Sequence, residues 1–200
     1  MENSFLNSIE KRRSIYHIGN NVSLAQPEIA ELIQTAVEQS PSAFNSQSSR
    51  VVILFGQHHQ DFWQIVLDTL RKMVPEDAFE ATNNKISSFA AGFGTVLFYE
   101  DQDVVKNLQE QFALYADNFP VWSEHSTGIA QFAVWSALAN QNVGASLQHY
   151  NPIVDAEVAA RFGVPASWKL RGQMPFGSIE SPAGDKDYMS RDERFKIFGA

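Results

Sequence analysis

Ser40-Pro41-Ser42-Ala43-Phe44-Asn45-Ser46-Gln47, with Val51-Val52-Ile53-Leu54-Phe55-Gly56 close behind it, sets how the rest of the chain is read. Ser40-Pro41 stops a helical pattern, because proline has no backbone N–H to donate and fixes its own φ. The residues after it are small and polar, rich in amide and hydroxyl groups. Val51 to Phe55 is then a continuous apolar run ended by glycine, the mark of a buried strand. A helix, a polar loop and a core strand therefore follow one another, and the polar groups stand at the strand's mouth.

Working outward, Pro27 opens the preceding helix, whose apolar stripe is Ile29, Leu32, Ile33, Ala36 and Val37. Residues 3–13 predict a short helix on Phe5, Leu6 and Ile9 that delivers Arg12 and Arg13 at its C-terminal end. Downstream, helical spacing returns over 60–73. Thr95-Val96-Leu97-Phe98-Tyr99 predicts a second buried strand, and helices are expected over 103–116 and 126–140. A short strand over 144–148, a helix over 153–162 and a strand over 169–176 complete the pattern. This order predicts an α+β fold, one mixed sheet covered by helices. No Pro/Gly/Ser-rich linker interrupts it, so a single domain over 1–200 is expected.

Composition narrows the function. The chain has 200 residues, 44% hydrophobic and 19% charged, which is globular rather than disordered. A net charge of −8 argues against general nucleic-acid binding, which needs a basic face. With no cysteine, disulfides, thiolate nucleophiles and iron–sulfur clusters drop out, and a reducing cytoplasm is the expected compartment. No signal-peptide pattern opens the sequence. The longest apolar stretch, Gly128 to Ala139, contains Gln131 and Ser136 and falls short of the roughly 20 residues of a membrane span.

Several motifs fail on context. Gly92-Phe93-Gly94 precedes a strand, whereas a dinucleotide fingerprint follows one; a flexible turn is expected there. The five histidines lack metal-ligand spacing, and His58-His59 reads as a solvated turn. Ser123-Glu124-His125-Ser126 has no nucleophile elbow, so Ser123 or Ser126 is expected to cap a helix. Asp101 and Asp103 read as a solvated loop.

Three clusters carry more. Arg12-Arg13-Ser14 offers two guanidinium forks and a hydroxyl, the groups that suit a phosphate, although cations at a helix C-terminus also favour its dipole. Ser40 to Gln47 supplies donors and acceptors that match the rim of a flat heterocycle. Leu147-Gln148-His149-Tyr150-Asn151-Pro152 adds two hydrogen-bonding side chains and a stacking ring. Together they suggest a phosphorylated aromatic cofactor.

In this order the clusters resemble the nitroreductase family of flavoproteins over essentially the whole chain. The resemblance is nearest to the branch named after the yeast fatty-acid repression mutant, with its bacterial oxidoreductase relatives. It is carried also by Ile15-Tyr16, by Phe89 to Phe98, by Asn118 to Ser126, and by Gln173-Met174-Pro175-Phe176-Gly177. The resemblance implies an FMN-dependent, interlocked homodimer with a flavin at each interface. Arg12, Arg13 and Ser14 would hold the FMN phosphate and ribityl chain from one subunit; Ser42, Asn45 and Gln47 would approach the ring from the other. Gln148, His149 and Tyr150 would line the ring, while Lys186 and Arg194 would finish the phosphate shell. Tyr16 stands where many relatives carry a cation near the flavin pyrimidine, and Tyr188 where they carry an arginine.

The implied activity is NAD(P)H oxidation, with either NADH or NADPH as donor, coupled in two hydride steps to reduction of a nitroaromatic or quinone. The flavin N5 carries the chemistry, so no catalytic side chain and no metal are required. An alternative is a flavin-binding redox sensor or regulator of a lipid or stress response, with incidental turnover. Homodimerisation has its own argument: the apolar helix at 126–140 and the aromatic residues Phe62, Trp63, Phe112, Phe119, Trp122 and Trp135 exceed what a modest core needs.

Overall fold

The computed structural model describes residues 4–199; Asn3, expected to open the first helix, lies outside them. In chain order the elements are α1 (Ser4–Lys11), β1 (Ile18–Gly19), α2 (Gln26–Glu38), β2 (Ser49–Phe55), α3 (Gly56–Arg71), α4 (Glu76–Ala90), β3 (Gly94–Asp101), α5 (Gln102–Gln111), α6 (Phe119–Asn140), β4 (Gly144–Ala145), α7 (Asp155–Phe162), β5 (Trp168–Ile179) and α8 (Arg191–Arg194). Short 3-10 turns lie at Ala43–Asn45 and Ala113–Asn118.

The strands form one sheet in the order β1-β5-β3-β2, with β4 added to β5. The named pairs are antiparallel, and the sheet's parallel character is confined to a bridge between Ser14 and Ala145. β3 is its axis: Leu97 pairs with Val52 on one side and Gln173 on the other. Because strand side chains alternate, Val96 and Phe98 enter one core with Ile29, Ile33, Val134 and Leu138 of α2 and α6. Leu97 and Tyr99 enter the other, with Phe62, Trp63, Ile86 and Phe89 of α3 and α4 and Val158 of α7. Each such apolar side chain contributes roughly 1.5–3 kcal/mol by leaving water. Helices thus cover both faces of the sheet, as the α+β reading expects. Among the described residues no helix is long and apolar enough to cross a membrane.

Four local expectations change. α4 was not expected; its start is set by Pro75, Glu76 and Asp77, and it buries Ile86 and Phe89. His58-His59 is no solvated turn, because Gly56 at φ 53° turns β2 straight into α3 and carries His59 into the core. His59 Nε2 donates to the Ala90 carbonyl at 3.1 Å, so Nδ1, 2.8 Å from Thr95 Oγ1, accepts from that hydroxyl. Thr95 in turn accepts from Trp63 Nε1 at 2.9 Å. This closed chain fits a neutral imidazole, and burial lowers the His59 pKa, opposed in part by the Ala90 hydrogen bond.

Ser123 and Ser126 are not caps either. α6 begins at Phe119 with Pro120 in its first turn, and the two hydroxyls donate back to the carbonyls of Pro120 and Trp122, both at 2.9 Å. Asp101, finally, caps α5, its carboxylate accepting the Asp103 N–H at 3.2 Å.

Candidate functional site

Between α1 and β1 the chain runs extended, with Ile15 N–H donating to the Ala145 carbonyl at 2.9 Å. This pairing turns Arg12, Arg13, Ser14 and Tyr16 toward the segment that follows β5. Arg12 to His17 and Ser181 to Lys186 line a cleft of about 440 Å³. Arg13 donates to the Gly184 carbonyl at 2.7 Å, which ties the two walls together. The Arg12 guanidinium lies 4.5 Å over the Trp135 ring. Burial lowers its pKa, and the neighbouring Arg13 charge lowers it further. Among the described residues neither arginine forms an ion pair with a carboxylate.

Two adjacent guanidinium groups, half-buried and outside any ion pair among the described residues although Asp185 also lines the cleft, suit an anion. Lys186 adds a third cation, its ammonium 5.0 Å from the Tyr188 ring. Arg194, on α8, lies outside the lining of this cleft in the single chain, its guanidinium 5.7 Å over the Phe195 ring.

The loop before β2 is built differently. Phe44, Asn45 and Gln47 have φ of 57°, 50° and 48°, three left-handed residues without a glycine among them. Each costs energy in isolation, and such conformations persist only where the surroundings over-determine them. Here Ser42 Oγ accepts the Gln47 N–H at 2.9 Å, and Asn45 N–H donates to the Ser42 carbonyl at 2.9 Å. Asn45 and Gln47 stay exposed, presenting their amides outward. Ser42 and Gln47 line a second cleft of about 180 Å³ together with Arg50 and Ser126.

Beside it is a hollow of about 400 Å³ walled by Pro41, Phe44, Trp122, His125 and Ile129. The Phe44 ring is stacked on Trp122 with centroids 6.0 Å apart and 20° between planes, and it meets Phe112 at 4.9 Å. Half of the Phe44 side-chain surface remains open, at 51% exposure. Below the loop, the buried Glu100 carboxylate accepts from Ser49 Oγ and Thr127 Oγ1 through one oxygen, while the other has no partner among the described residues.

The third cluster is held mainly by the fold. Gln148 and the fully buried Gln173 exchange backbone hydrogen bonds at 2.7 and 2.9 Å, and Gln148 Nε2 donates to Ser146 Oγ at 3.1 Å. Gln173 Oε1 accepts the Tyr150 N–H at 2.7 Å, and its Nε2 donates to Asn151 Oδ1 at 3.0 Å. The Tyr150 ring meets Trp63 edge-on at 5.9 Å, and burial pushes its phenol up to about 12. His149 is the exposed member of the three.

The structure therefore joins Arg12, Arg13, Ser14, Tyr16 and Lys186 in one place, and Ser42 with Gln47 in another. These two clefts have no lining residue in common. Arg50 and Glu100 were not singled out as site residues in the sequence, and Phe44 and Trp122 were named there only within a motif and among the surplus aromatic residues. For Arg50 and Glu100 the partners lie some fifty positions away, brought close only by the register that pairs Ser49 with Glu100.

The family model described as the nitroreductase family matches residues 9–178. Two Saccharomyces cerevisiae proteins align over nearly the full length: HBN1, 32% identical over 94% of this chain and 95% of its own, and the nitroreductase FRM2, 31% identical over 94% of each. The nitroreductase CinD of Lactococcus lactis, solved with nicotinic acid, has a TM-score of 0.91 at 53% identity, covering 97% of this chain and 99% of its own. A nitroreductase from Desulfitobacterium hafniense solved with bound FMN shares the fold alone, at 16% identity and a TM-score of 0.71 over 99% of this chain and all of its own, 100%.

Proposed function

The chain belongs to the nitroreductase family, and on that premise we propose that it binds FMN in a site completed by a second copy and uses it to oxidise NAD(P)H and reduce nitroaromatic or quinone-type acceptors. The observation that carries this reading is the split of the binding groups. Cations suited to a phosphate gather in one cleft, and amides suited to a ring edge gather in another that shares no lining residue with it. Two copies related by a two-fold axis would bring the cleft of one against the loop of the other, which is what an isologous interface allows.

The residues present fit the group. Arg12, Arg13 and Lys186 supply positive charge for a phosphate, and the Ser14 hydroxyl adds a donor. Asn45 and Gln47 offer exposed amides to the pyrimidine rim, with His149 as a further donor on the ring side. Ser42 acts from behind, holding the Gln47 N–H. Gln148 and Tyr150 shape the floor of the ring site through Gln173 rather than by reaching outward. Arg194, outside the cleft lining in the single chain, is assigned to the phosphate shell by the family resemblance alone.

Bound there, FMN supplies the two-electron chemistry, taking hydride from NAD(P)H and passing it to the acceptor. This chain's part is to bind the phosphate, fix the ring edge, and offer a flat apolar wall against which the acceptor stacks. CinD has also been solved with 4-nitrophenol, which fits an acceptor of this shape.

The test is the visible spectrum of the purified protein before and after anaerobic NADH or NADPH, followed by addition of a nitroaromatic or quinone. A flavin band that bleaches and then returns supports the reading. A protein that neither carries nor takes up FMN overturns it at the cofactor. A bound flavin that never bleaches overturns the enzymatic part and favours a redox sensor. Sedimentation showing a stable monomer with FMN bound would remove the shared site.

A further inference from the structure

The Ser42–Gln47 loop is held from within by Ser42 and from behind by a guanidinium. Arg50 lies one residue inside β2, opposite Tyr99 of β3. One of its terminal nitrogens donates to the Gln47 carbonyl and, at 3.3 Å, to the Ser49 carbonyl. The other donates to Asp101 Oδ2 at 3.2 Å, an ion pair whose side chains are 30% and 13% exposed. The guanidinium also stands 5.8 Å over the Trp168 ring. Asp101 is placed by β3, whose register sets it opposite Trp168, and by the Asp101 N–H donated to the Ser48 carbonyl at 3.0 Å. Three neighbouring strands thus fix one guanidinium, and that guanidinium fixes the peptide of the left-handed Gln47.

We propose that Arg50 is a positioning residue for the flavin ring: anchored by Asp101, it holds the Gln47 carbonyl and so maintains the strained loop that presents the Asn45 and Gln47 amides. The inference rests on the flavin reading above. A left-handed glutamine relaxes toward ordinary backbone when its anchor is removed, and the relaxation redirects both amides. Arg50 also borders the cleft of Ser42 and Gln47, yet both its terminal nitrogens are engaged within the protein. Its action is therefore carried through Gln47.

The experiment titrates flavin-free protein with FMN and, separately, with riboflavin, which lacks the phosphate. Wild-type binding of FMN comes first; its absence would be the failure of the flavin reading itself, not of this one. In Arg50→Met, affinity for both ligands falls roughly tenfold, the size of one charge-assisted hydrogen bond, and the FMN-to-riboflavin ratio stays at the wild-type value. The midpoint potential and visible band of the bound flavin shift as well, which a loss of global stability alone does not produce.

Asp101→Asn is the second variant. Asparagine caps a helix as well as aspartate, so α5 keeps its cap while the ion pair is lost. It moves affinity and potential in the same direction by a smaller factor, and it decides the matter alone should Arg50→Met not fold. The proposal is overturned if folded Arg50→Met binds both flavins as wild type does, or if the FMN-to-riboflavin ratio falls. It is equally overturned if Asp101→Asn leaves affinity and potential unchanged, since Arg50 would then act by direct contact or not at all.

Discussion

The cleft between residues 12–17 and 181–186 and the loop from Ser42 to Arg50 follow opposite designs. Among the described residues the cleft sets its cations on backbone free of positive φ, leaves the two arginines outside any ion pair, and is tied across by a hydrogen bond from Arg13 to Gly184. The loop puts its energy into the main chain instead, with three left-handed residues locked by Ser42 and Arg50. The difference matches what the proposed function asks of each. A phosphate is round and charged, so cations carried on ordinary backbone suffice. A ring edge is flat and directional, and its donors must be fixed before the ligand arrives.

The widest separation between the two regions should come from the arginines. Replacing Arg12 and Arg13 together by methionine is expected to cost about a hundredfold in FMN affinity, yet leave riboflavin within about threefold. Fluorescence titration reads both. Equal losses would mean that the regions do not act separately.

A pH scan sharpens the comparison from outside, because the His59 network belongs to neither region. Burial holds the His59 pKa below its ordinary 6.5, so between the folded and unfolded values the unfolded chain binds the extra proton. Stability is then complete above 6.5 and lost as pH falls through the folded value, with a slope approaching about 1.4 kcal/mol per pH unit. Denaturant midpoints across that range should show the slope in wild type and its absence in His59→Gln. Flavin binding that weakens over the same range through a low folded fraction would belong to the core and not to the site.

Strain in the loop is tested by a pair. At φ 48° alanine is as constrained as glutamine, so Gln47→Gly should be more stable than Gln47→Ala by about 1 kcal/mol, the reverse of the usual order. Thermal midpoints of the flavin-free variants would show it, and equal stability would mean the loop is not strained. The smallest effect is at the cleft's outer wall. Lys186→Met should weaken FMN about threefold, as an exposed cation does, and Arg194→Met less, since Arg194 lies outside the lining.

Much of this was legible in the chain. The runs 51–55 and 95–99 announced the paired strands β2 and β3, because a strand covered on both faces leaves an unbroken apolar signature. Arg12-Arg13-Ser14 was legible because its chemistry is contiguous. α4 escaped because Thr82-Asn83-Asn84 breaks its middle with weak helix formers, although Phe79, Ile86 and Phe89 lie on one face and Pro75-Glu76-Asp77 announces a start. His59 was hidden by its polar neighbours, yet Phe62, Trp63 and Val66 follow at three, four and seven residues, the spacing of one helix face. The clamp of Arg50 was beyond local reading. It exists only when β2, β3 and β5 are side by side.

The cleft that gathers the arginines has walls from the two far ends of the described chain, residues 12–17 and 181–186, and the strand between them in space, β5, comes late in sequence. During synthesis, β3 waits unpaired on one side until residues 168–179 emerge from the ribosome. The arginine cleft waits longer still, until the segment at 181–186 is free to meet Arg13. A nascent chain shorter than that has only part of the cleft, so on the proposed function FMN is captured there only after residue 186 has been translated.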